Sequence, residues 1–285
     1  MLVDEVAWLL RPRREGWVID GTVGMGGHAE AILERSDADV RVLGLDVDTE
    51  ALHRAATRLA RFGDRVRLRR ADFRDLGAVA ADERVAAPRA VLLDLGVSSY
   101  QLAESGRGFS FLVDEPLDMR LDPTRGETAA ALVNRLSEPE LASLLAEYGE
   151  ERFARRIARA IVRRRPLRTT ADLVAAVRAG VPRAAWPRRL HVATRTFQAV
   201  RMAVNDEPGA LRQALPRGAG LLAVGGRLGV ISFHSGEDRI VKQTFRSLAP
   251  VYAVVEPSPL TPGDDEVRAN PRARSAKLRV LERLA

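Results

Sequence analysis

The chain of 285 residues contains no cysteine, which excludes disulfides, thiolate metal ligands and a cysteine nucleophile. Lysine is nearly absent as well, since Lys242 and Lys277 are the only two among 45 basic residues and the rest are arginine. No apolar run approaches the roughly 18 residues of a membrane span, and no export signal is recognisable. We therefore expect a cytoplasmic protein with no membrane partner and no metal site, large enough for one or two domains.

An apolar run, a carboxylate and a glycine-rich turn follow one another in residues 17–28. Ala29, Ile32 and Leu33 then recur at helical spacing, so the pattern predicts a strand, a turn and a helix. Glycines let the backbone turn tightly beside a ligand, and the free N–H groups of a helix start favour an anionic group. The turn lacks the G-x-G-x-x-G spacing, and by itself it fits an ordinary βα turn as well as a nucleotide-cofactor loop.

Acidic residues end or follow the next two predicted strands. Residues 40–46 form a strand that ends at Asp46, about twenty residues past the glycines, where a doubly wound sheet places the group that holds a ribose. Residues 66–71 form a third strand, which runs into Asp72 and Phe73. Both acids therefore fall where such sheets bind their ligands.

The strongest strand prediction is residues 90–96, an unbroken apolar run typical of a central parallel strand, with Asp94 at its end. Asp20 ends the first strand in the same way. An acid in that place suits a cofactor with an ammonium and a sulfonium better than one with a pyrophosphate. We therefore predict an α/β, Rossmann-like sheet that binds S-adenosylmethionine rather than NAD.

Positive charge is concentrated between residues 151 and 195, a segment that contains thirteen arginines and only two acids. That segment carries +11 in a chain of net +7, so the remainder carries −4. At 100° per residue, five arginines of a helix over 151–165 lie within an arc of about 100°, opposite its apolar side. A solvated helix face is the alternative, but so few acids interleave that we predict contact with RNA phosphates. This arginine face consists of Arg152, Arg155, Arg156, Arg159 and Arg163.

The alternation of strand and helix stops for nearly a hundred residues and resumes with a strand over 227–233. We therefore predict a discontinuous sheet domain over 1–101 and 196–285, with a helical, arginine-rich substrate-recognition domain inserted over 102–195. Apolar alternation around 252–255 and 278–281 predicts closing strands.

Several short motifs occur along the chain in a fixed order. They are Asp20-Gly-Thr-Val-Gly-Met-Gly-Gly-His28, Asp94-Leu-Gly-Val-Ser-Ser99, Arg107-Gly-Phe-Ser-Phe111, Pro116-Leu-Asp-Met-Arg120, Tyr148-Gly-Glu-Glu-Arg152, Ala193-Thr-Arg-Thr-Phe-Gln-Ala-Val-Arg201, Ile231-Ser-Phe-His-Ser235 and Asn270-Pro-Arg-Ala-Arg-Ser-Ala-Lys-Leu-Arg279. In order and spacing the chain resembles, over nearly its whole length, the bacterial 16S ribosomal RNA cytosine-N4 methyltransferases called ribosomal RNA small subunit methyltransferase H. Departures from that pattern are Tyr100, Glu115, Val192 and Gly236.

The resemblance implies S-adenosylmethionine as methyl donor and the N4 amine of a decoding-centre cytidine of 16S rRNA, cytidine 1402, as acceptor. It also implies a helical insertion in the methyltransferase fold. The expected partner is 16S rRNA or the small ribosomal subunit, and a homodimer is one assembly that this leaves open. Carried over by position, the cofactor contacts would be Gly26, Gly27, His28, Asp46, Phe73, Asp94 and Gln101.

The available side chains also restrict the reaction. A cytosine C5 methyltransferase uses a cysteine nucleophile, which is absent, and ribose methylation commonly relies on a lysine near the hydroxyl. An exocyclic amine needs neither, but it needs a group that accepts its proton and holds it in line with the methyl. We therefore predict that Asp94 and the turn of Ser98 and Ser99 position the target amine.

Two other functions stay open at this stage, a nicotinamide-dependent oxidoreductase and a catalytically silent RNA-binding or ribosome-assembly protein. Asp20 and the basic insertion disfavour the first, and the intact cofactor positions disfavour the second. His234 fits a strand-end histidine with a hydrogen bond, and Arg107 and Arg120 fit loop-bracing ion pairs as well as RNA contacts.

Overall fold

The computed structural model describes residues 1–10, 12, 15–187 and 190–285, and of Ser99 and Ala103 the backbone alone. Within these residues, seven strands form one sheet in the order β3-β2-β1-β4-β5-β7-β6. The strands are β1 (Gly16–Asp20), β2 (Val40–Asp46), β3 (Val66–Arg70), β4 (Ala90–Asp94), β5 (Arg227–Ser232), β6 (Tyr252–Val254) and β7 (Lys277–Arg283).

The first five strands of this sheet run parallel, whereas β7 pairs antiparallel with both β5 and β6. The chain starts in the middle with β1, steps outward to β2 and β3, and returns to the other side of β1 with β4. This reversal between β1 and β4 makes a topological switch point, where open α/β sheets bind ligands outside the carboxyl ends of their strands. The predicted α/β, Rossmann-like fold is confirmed.

Thirteen α-helices occur in the described residues. They are α1 (Val3–Leu10), α2 (Gly27–Glu34), α3 (Thr49–Leu59), α4 (Leu76–Asp82), α5 (Ser99–Ala103), α6 (Ala129–Arg135), α7 (Glu138–Gly149), α8 (Ala154–Arg164), α9 (Thr170–Gly180), α10 (Thr194–Val204), α11 (Glu207–Leu221), α12 (Ser235–Ser247) and α13 (Asp264–Ala269). None of these helices is long and apolar enough to cross a membrane.

Contacts divide the chain into two compact units, residues 1–96 with 208–285, and residues 97–207. In the first unit both faces of the sheet are covered. Leu92 of β4 packs into a core shared with α1 and α2, while its neighbours Val91 and Leu93 pack into a second core with α4, α11 and α12. β4 is therefore the buried central strand that its apolar run predicts.

The second unit is helical and has a core of its own, built mainly from α6 to α10. The sequence-based division places residues 196–207 with the sheet, whereas the contacts place them with the helices. The reason is packing, because Phe197, Ala199 and Val200 of α10 are buried in the helical core. The division after Gly96 likewise places Ser98 and Gln101 in the second unit.

The arginine-rich helix is shorter than the predicted span of 151–165. α8 begins at Ala154, after Phe153 as its N-terminal cap residue. The carboxylate of Glu151 accepts the N–H of Phe153 at 3.0 Å and turns the chain just before the helix. Arg152 therefore precedes α8, with its guanidinium 4.9 Å from the centre of the Phe153 ring.

Candidate active site

Three carboxylates end strands of the parallel sheet, and we call them the acidic edge: Asp20 on β1, Asp46 on β2 and Asp94 on β4. Since β1 pairs in parallel with both β2 and β4, these strand ends meet at one edge of the sheet. Asp20 is only 1% exposed, and its Oδ1 accepts the N–H of Thr22 at 3.2 Å.

The glycine-rich turn after β1 is tied to β2 through Asp46. Oδ2 of Asp46 accepts the N–H of Gly24 at 2.9 Å, and its Oδ1 accepts the N–H of Asp48 at 2.9 Å. Gly24 and Gly26 have φ angles of 51° and 83°, a left-handed conformation that glycine adopts without steric cost. Gly26 then caps α2, which begins at Gly27, so the predicted strand, turn and helix are all present.

His28 connects the start of α2 to the end of β4. Its Nδ1 lies 3.6 Å from Oδ2 of Asp94, and its Nε2 lies 2.9 Å from the carbonyl oxygen of Met1. A carbonyl only accepts, so Nε2 carries a proton. The main-chain N–H of Asp94 donates to the Thr22 hydroxyl at 2.6 Å. The other carboxylate oxygen of Asp94, Oδ1, is buried and has no hydrogen-bond partner among the described residues.

Burial is the main cause of the raised pKa values of the three carboxyl groups on the acidic edge. Burial raises the pKa of Asp20 to about 8, and the negative charges of Asp94 and Asp46 also raise it. The hydrogen bond from the N–H of Thr22 lowers the pKa but does not offset the effect of burial. Burial raises the pKa of Asp46 to about 6 against the N–H groups that it accepts, and it also raises the pKa of Asp94. Buried carboxyls that repel one another are stabilised in the charged form by a nearby cation. The acidic edge therefore fits a ligand with ammonium and sulfonium groups, and the unpartnered Oδ1 of Asp94 leaves it an acceptor.

Phe73 lies beside the end of β1. Asp72 caps the short 3-10 helix Phe73–Asp75 by accepting the N–H of Arg74 at 2.9 Å. A Cβ added to Gly21 would lie 3.3 Å from Cβ of Phe73 and 2.7 Å from a methyl carbon of Leu93, so the backbone of Gly21 packs closely here. The half-buried Phe73 ring is therefore held next to the first turn of the site.

Ser98 and Gln101 form a reciprocal cap at the start of α5 in the second unit. The N–H of Ser98 donates to Oε1 of Gln101 at 2.9 Å, and the N–H of Gln101 donates to the Ser98 hydroxyl at 3.1 Å. This capping box is a structural role for both side chains, and S-x-x-Q is a sequence signal for it. The side chain of Ser99 lies outside the described atoms. Roles for these three residues at the cofactor or the substrate stay predictions.

The loop after α5 is held by its arginines. Arg107 donates through Nη1 to the carbonyl oxygens of Arg120 at 3.1 Å and Leu121 at 3.0 Å. Arg120 in turn donates twice to the carboxylate of Asp118, at 2.8 and 2.7 Å. Of the two interpretations of these arginines, the structure favours loop bracing.

All five residues of the arginine face are exposed. Arg159 pairs with Glu138 of α7 at 3.2 Å. Arg155, Arg156 and Arg163 have no ion pair or side-chain hydrogen bond with another described residue. Unpaired guanidinium groups on one side of a helix are available to an anionic partner. RNA contact by this face stays a prediction.

Sequence reasoning missed the hydroxyl of Thr22 and the pairing of His28 with Asp94. Thr22 is adjacent to the glycine turn, but its partner is 72 residues further on. The apolar strand pattern does not show which residue of a turn reaches which strand end. The signal that was available is the position of all three residues beside predicted strand ends.

The fold and the acidic edge fit a Rossmann-like methyltransferase that uses S-adenosylmethionine. The chain belongs to the MraW methylase family, whose model matches residues 1–284. The family resemblance and the cofactor predicted from the sequence are thereby confirmed.

Similar proteins include ribosomal RNA small subunit methyltransferase H of Heliobacterium modesticaldum, 49% identical over 305 residues, which cover 100% of this chain and 97% of that protein. The protein of the same name from Geotalea uraniireducens is 48% identical over 304 residues, with the same coverage. Among solved structures, an rRNA methylase from Streptococcus thermophilus aligns with 99% of this chain and 94% of its own, with a TM-score of 0.47 and 15% identity. A Streptococcus mutans protein in complex with SAH has a TM-score of 0.48 and 14% identity, over 99% of this chain and 95% of its own.

Proposed function

We propose that this protein transfers a methyl group from S-adenosylmethionine to the N4 amine of a decoding-centre cytidine in 16S rRNA, cytidine 1402 by the family resemblance. The relatives named as small-subunit rRNA methyltransferases support the RNA substrate. The observation that carries the chemistry is the buried, unpartnered Oδ1 of Asp94 at the end of the central strand.

The residues of the first unit fit the cofactor group by group. Asp46 is assigned to the ribose hydroxyls, since each of its oxygens accepts one N–H and retains a lone pair for a second donor. Phe73 is assigned to the adenine ring. Gly27, the first residue of α2, supplies a backbone N–H group, whereas the N–H of Gly26 donates to the carbonyl of Val23 at 2.8 Å and shapes the turn. Asp20 lies in the same cluster of raised acids and favours the positive charge.

Bound S-adenosylmethionine supplies an electrophilic methyl group. The chain itself must then hold the target amine and take its proton, because the nitrogen lone pair is conjugated with the ring. Asp94 fits this role: its Oδ1 is available, and burial raises the pKa of its carboxyl, which makes its carboxylate a better proton acceptor. His28 stands 3.6 Å from the opposite oxygen, Oδ2, and so leaves Oδ1 open to the amine.

The side chains favour the exocyclic amine over the other acceptors in RNA. There is no cysteine to add to C6 of a cytosine. Lys242 is exposed on α12, and Lys277 is paired with Asp238 at 3.3 Å, so neither is placed as a base for a ribose hydroxyl. Within the described residues, Asp94 combines a buried oxygen that has no partner with a place at the strand ends.

The experiment is methyl transfer from labelled S-adenosylmethionine to small ribosomal subunits and to free 16S rRNA, both prepared from cells that lack this protein. The RNA is digested to nucleosides and separated by mass spectrometry. The expected product is N4-methylcytidine at one position. Label in 5-methylcytidine, or in ribose alone, would refute the reaction class, and no transfer to either RNA would leave only a binding protein.

A further inference from the structure

A cavity of about 220 Å³ lies in the first unit, outside the residues assigned to the cofactor. One wall is the segment that joins β5 to α12, and the other is the turn before β7, with the 3-10 helix Pro271–Ser275. Phe233 and Ala276 line it together with six polar residues: His234, Ser235, Thr261, Arg274, Ser275 and Lys277.

The charge of this cavity is positive. Arg274 is exposed and has no ion pair or side-chain hydrogen bond with another described residue. Lys277 shares the carboxylate of Asp238 with Arg279, so one acid stands between two cations. The nearby Glu237 is buried and is not part of the lining, but its carboxylate accepts the N–H of Phe233 at 2.9 Å and lies 3.0 Å from Nε2 of the lining residue His234.

The donors of the cavity match a phosphate. An arginine, a lysine and three hydroxyl groups are the side chains that most often contact phosphate oxygens of nucleic acids. The cavity also adjoins the start of α12, a helix of 13 residues whose first N–H groups carry partial positive charge.

The position of the cavity relates it to the reaction. β5 pairs in parallel with β4, and Ile231 of β5 stands opposite Asp94. The N–H of Leu95 donates to the carbonyl of Ile231 at 3.0 Å, so the two strand ends are bonded to each other. The segment that lines the cavity, from Phe233 onward, therefore leaves the sheet at the same edge as Asp94.

We propose that this cavity holds a backbone phosphate of the RNA strand that carries the target cytidine. The assignment rests on the proposed function, since it takes the substrate to be RNA. A phosphodiester held by Arg274 and Lys277 fixes the RNA strand near Asp94. The target base stays free to turn its amine toward Oδ1 of Asp94. The arginine face lies on another unit and is a separate contact.

The test is the salt dependence of binding to a 16S rRNA fragment, measured for the full chain and for Arg274→Gln. Each phosphate contact with a single strand contributes about 0.7 to the slope of log affinity against log salt, so Arg274→Gln should lower the slope by about 0.7 to 1. Arg274→Lys should retain it. Arg272→Gln is the matched control, because Arg272 is exposed in the same turn but does not line the cavity.

Calorimetry with S-adenosylmethionine separates RNA phosphate from the carboxylate of the cofactor as occupant, and Arg274→Gln should leave this affinity unchanged. An unaltered salt slope in Arg274→Gln overturns the assignment. So does an equal loss in Arg272→Gln, or a loss of cofactor affinity without a change in slope. If the wild type binds RNA with the expected slopes but transfers no methyl group, the proposed function fails and the phosphate site stands.

Discussion

The acidic edge of the first unit and the arginine face of the second are built in opposite ways. Asp20 is 1% exposed, and Asp46 accepts an N–H on each of its oxygens. On the arginine face, Arg155 and Arg163 are exposed and have no partner among the described residues. One region holds buried charge in fixed geometry, and the other presents solvated charge on flexible side chains.

This difference determines how each region responds to change. In a buried site a charge interacts strongly with few partners. The loss of a single partner atom therefore changes the interaction energy greatly, and added salt changes it little. On an exposed helix each charge interacts weakly, and the contributions add and are screened by salt. Substitutions on the acidic edge should therefore have large, specific effects, and those on the arginine face should have small, cumulative ones.

The largest effect is expected from Asp94→Asn. Asparagine has the same shape but cannot accept the proton of the amine, so single-turnover methyl transfer should fall by at least about 100-fold. The unfolding temperature should not fall, because the change removes a buried charge. A folded variant with full activity would refute Asp94 as proton acceptor while leaving N4-methylcytidine as the product.

The next largest effect concerns the ribose. Charge-assisted hydrogen bonds contribute about 1.5–3 kcal/mol each, so Asp46→Ala should weaken S-adenosylmethionine binding tenfold or more. Calorimetry measures this directly. Asp46 also accepts the N–H groups of Gly24 and Asp48, so Asp46→Asn is the milder variant: its amide oxygen retains one of these two hydrogen bonds while the charge is removed. Unchanged affinity in both folded variants would remove Asp46 from the cofactor site.

The sequence predicted the acidic edge because the information is local. Apolar runs mark β1, β2 and β4, and each acid follows its own run, so the parallel topology alone brings Asp20, Asp46 and Asp94 to one edge. The hydrogen-bond and ion-pair partners of these acids cannot be predicted in the same way. The partner of Asp46 is Gly24, 22 residues away, and that of Asp94 is His28, in another element.

The second unit shows where pattern reasoning is weaker. The sequence predicts its helical character but not each of its helices. The S-x-x-Q spacing of Ser98 and Gln101 is also the signal of a capping box, which the functional interpretation of these residues leaves out. α10 packs with the helical core because Phe197 and Val200 face it, and an amphipathic pattern does not name the surface that it covers. The start of α8 depends on one hydrogen bond from the N–H of Phe153 to Glu151.

A smaller effect is expected in the pH dependence of stability without cofactor. The pKa of Asp20 is about 8 in the fold against 3.8 for the ordinary group, so the folded state binds the proton more tightly. Its stabilisation is full at low pH and is lost as the pH rises from about 4 to 8. The unfolding temperature of Asp20→Asn should fall less steeply over this range, and saturating S-adenosylmethionine should flatten the wild-type curve. Parallel curves for both proteins would contradict the burial of this charge.

The smallest effect, and the one that most sharpens the comparison, is expected from Arg155→Gln combined with Arg163→Gln. If both contact phosphates, the slope of log RNA affinity against log salt should fall by about one to two units, with S-adenosylmethionine affinity unchanged. The matched control is Arg212→Gln with Arg246→Gln, which removes the same charge from exposed arginines of the first unit. An equal fall in the control would mean that net charge alone sets RNA affinity. No fall in either pair would make the arginine face a solvated surface.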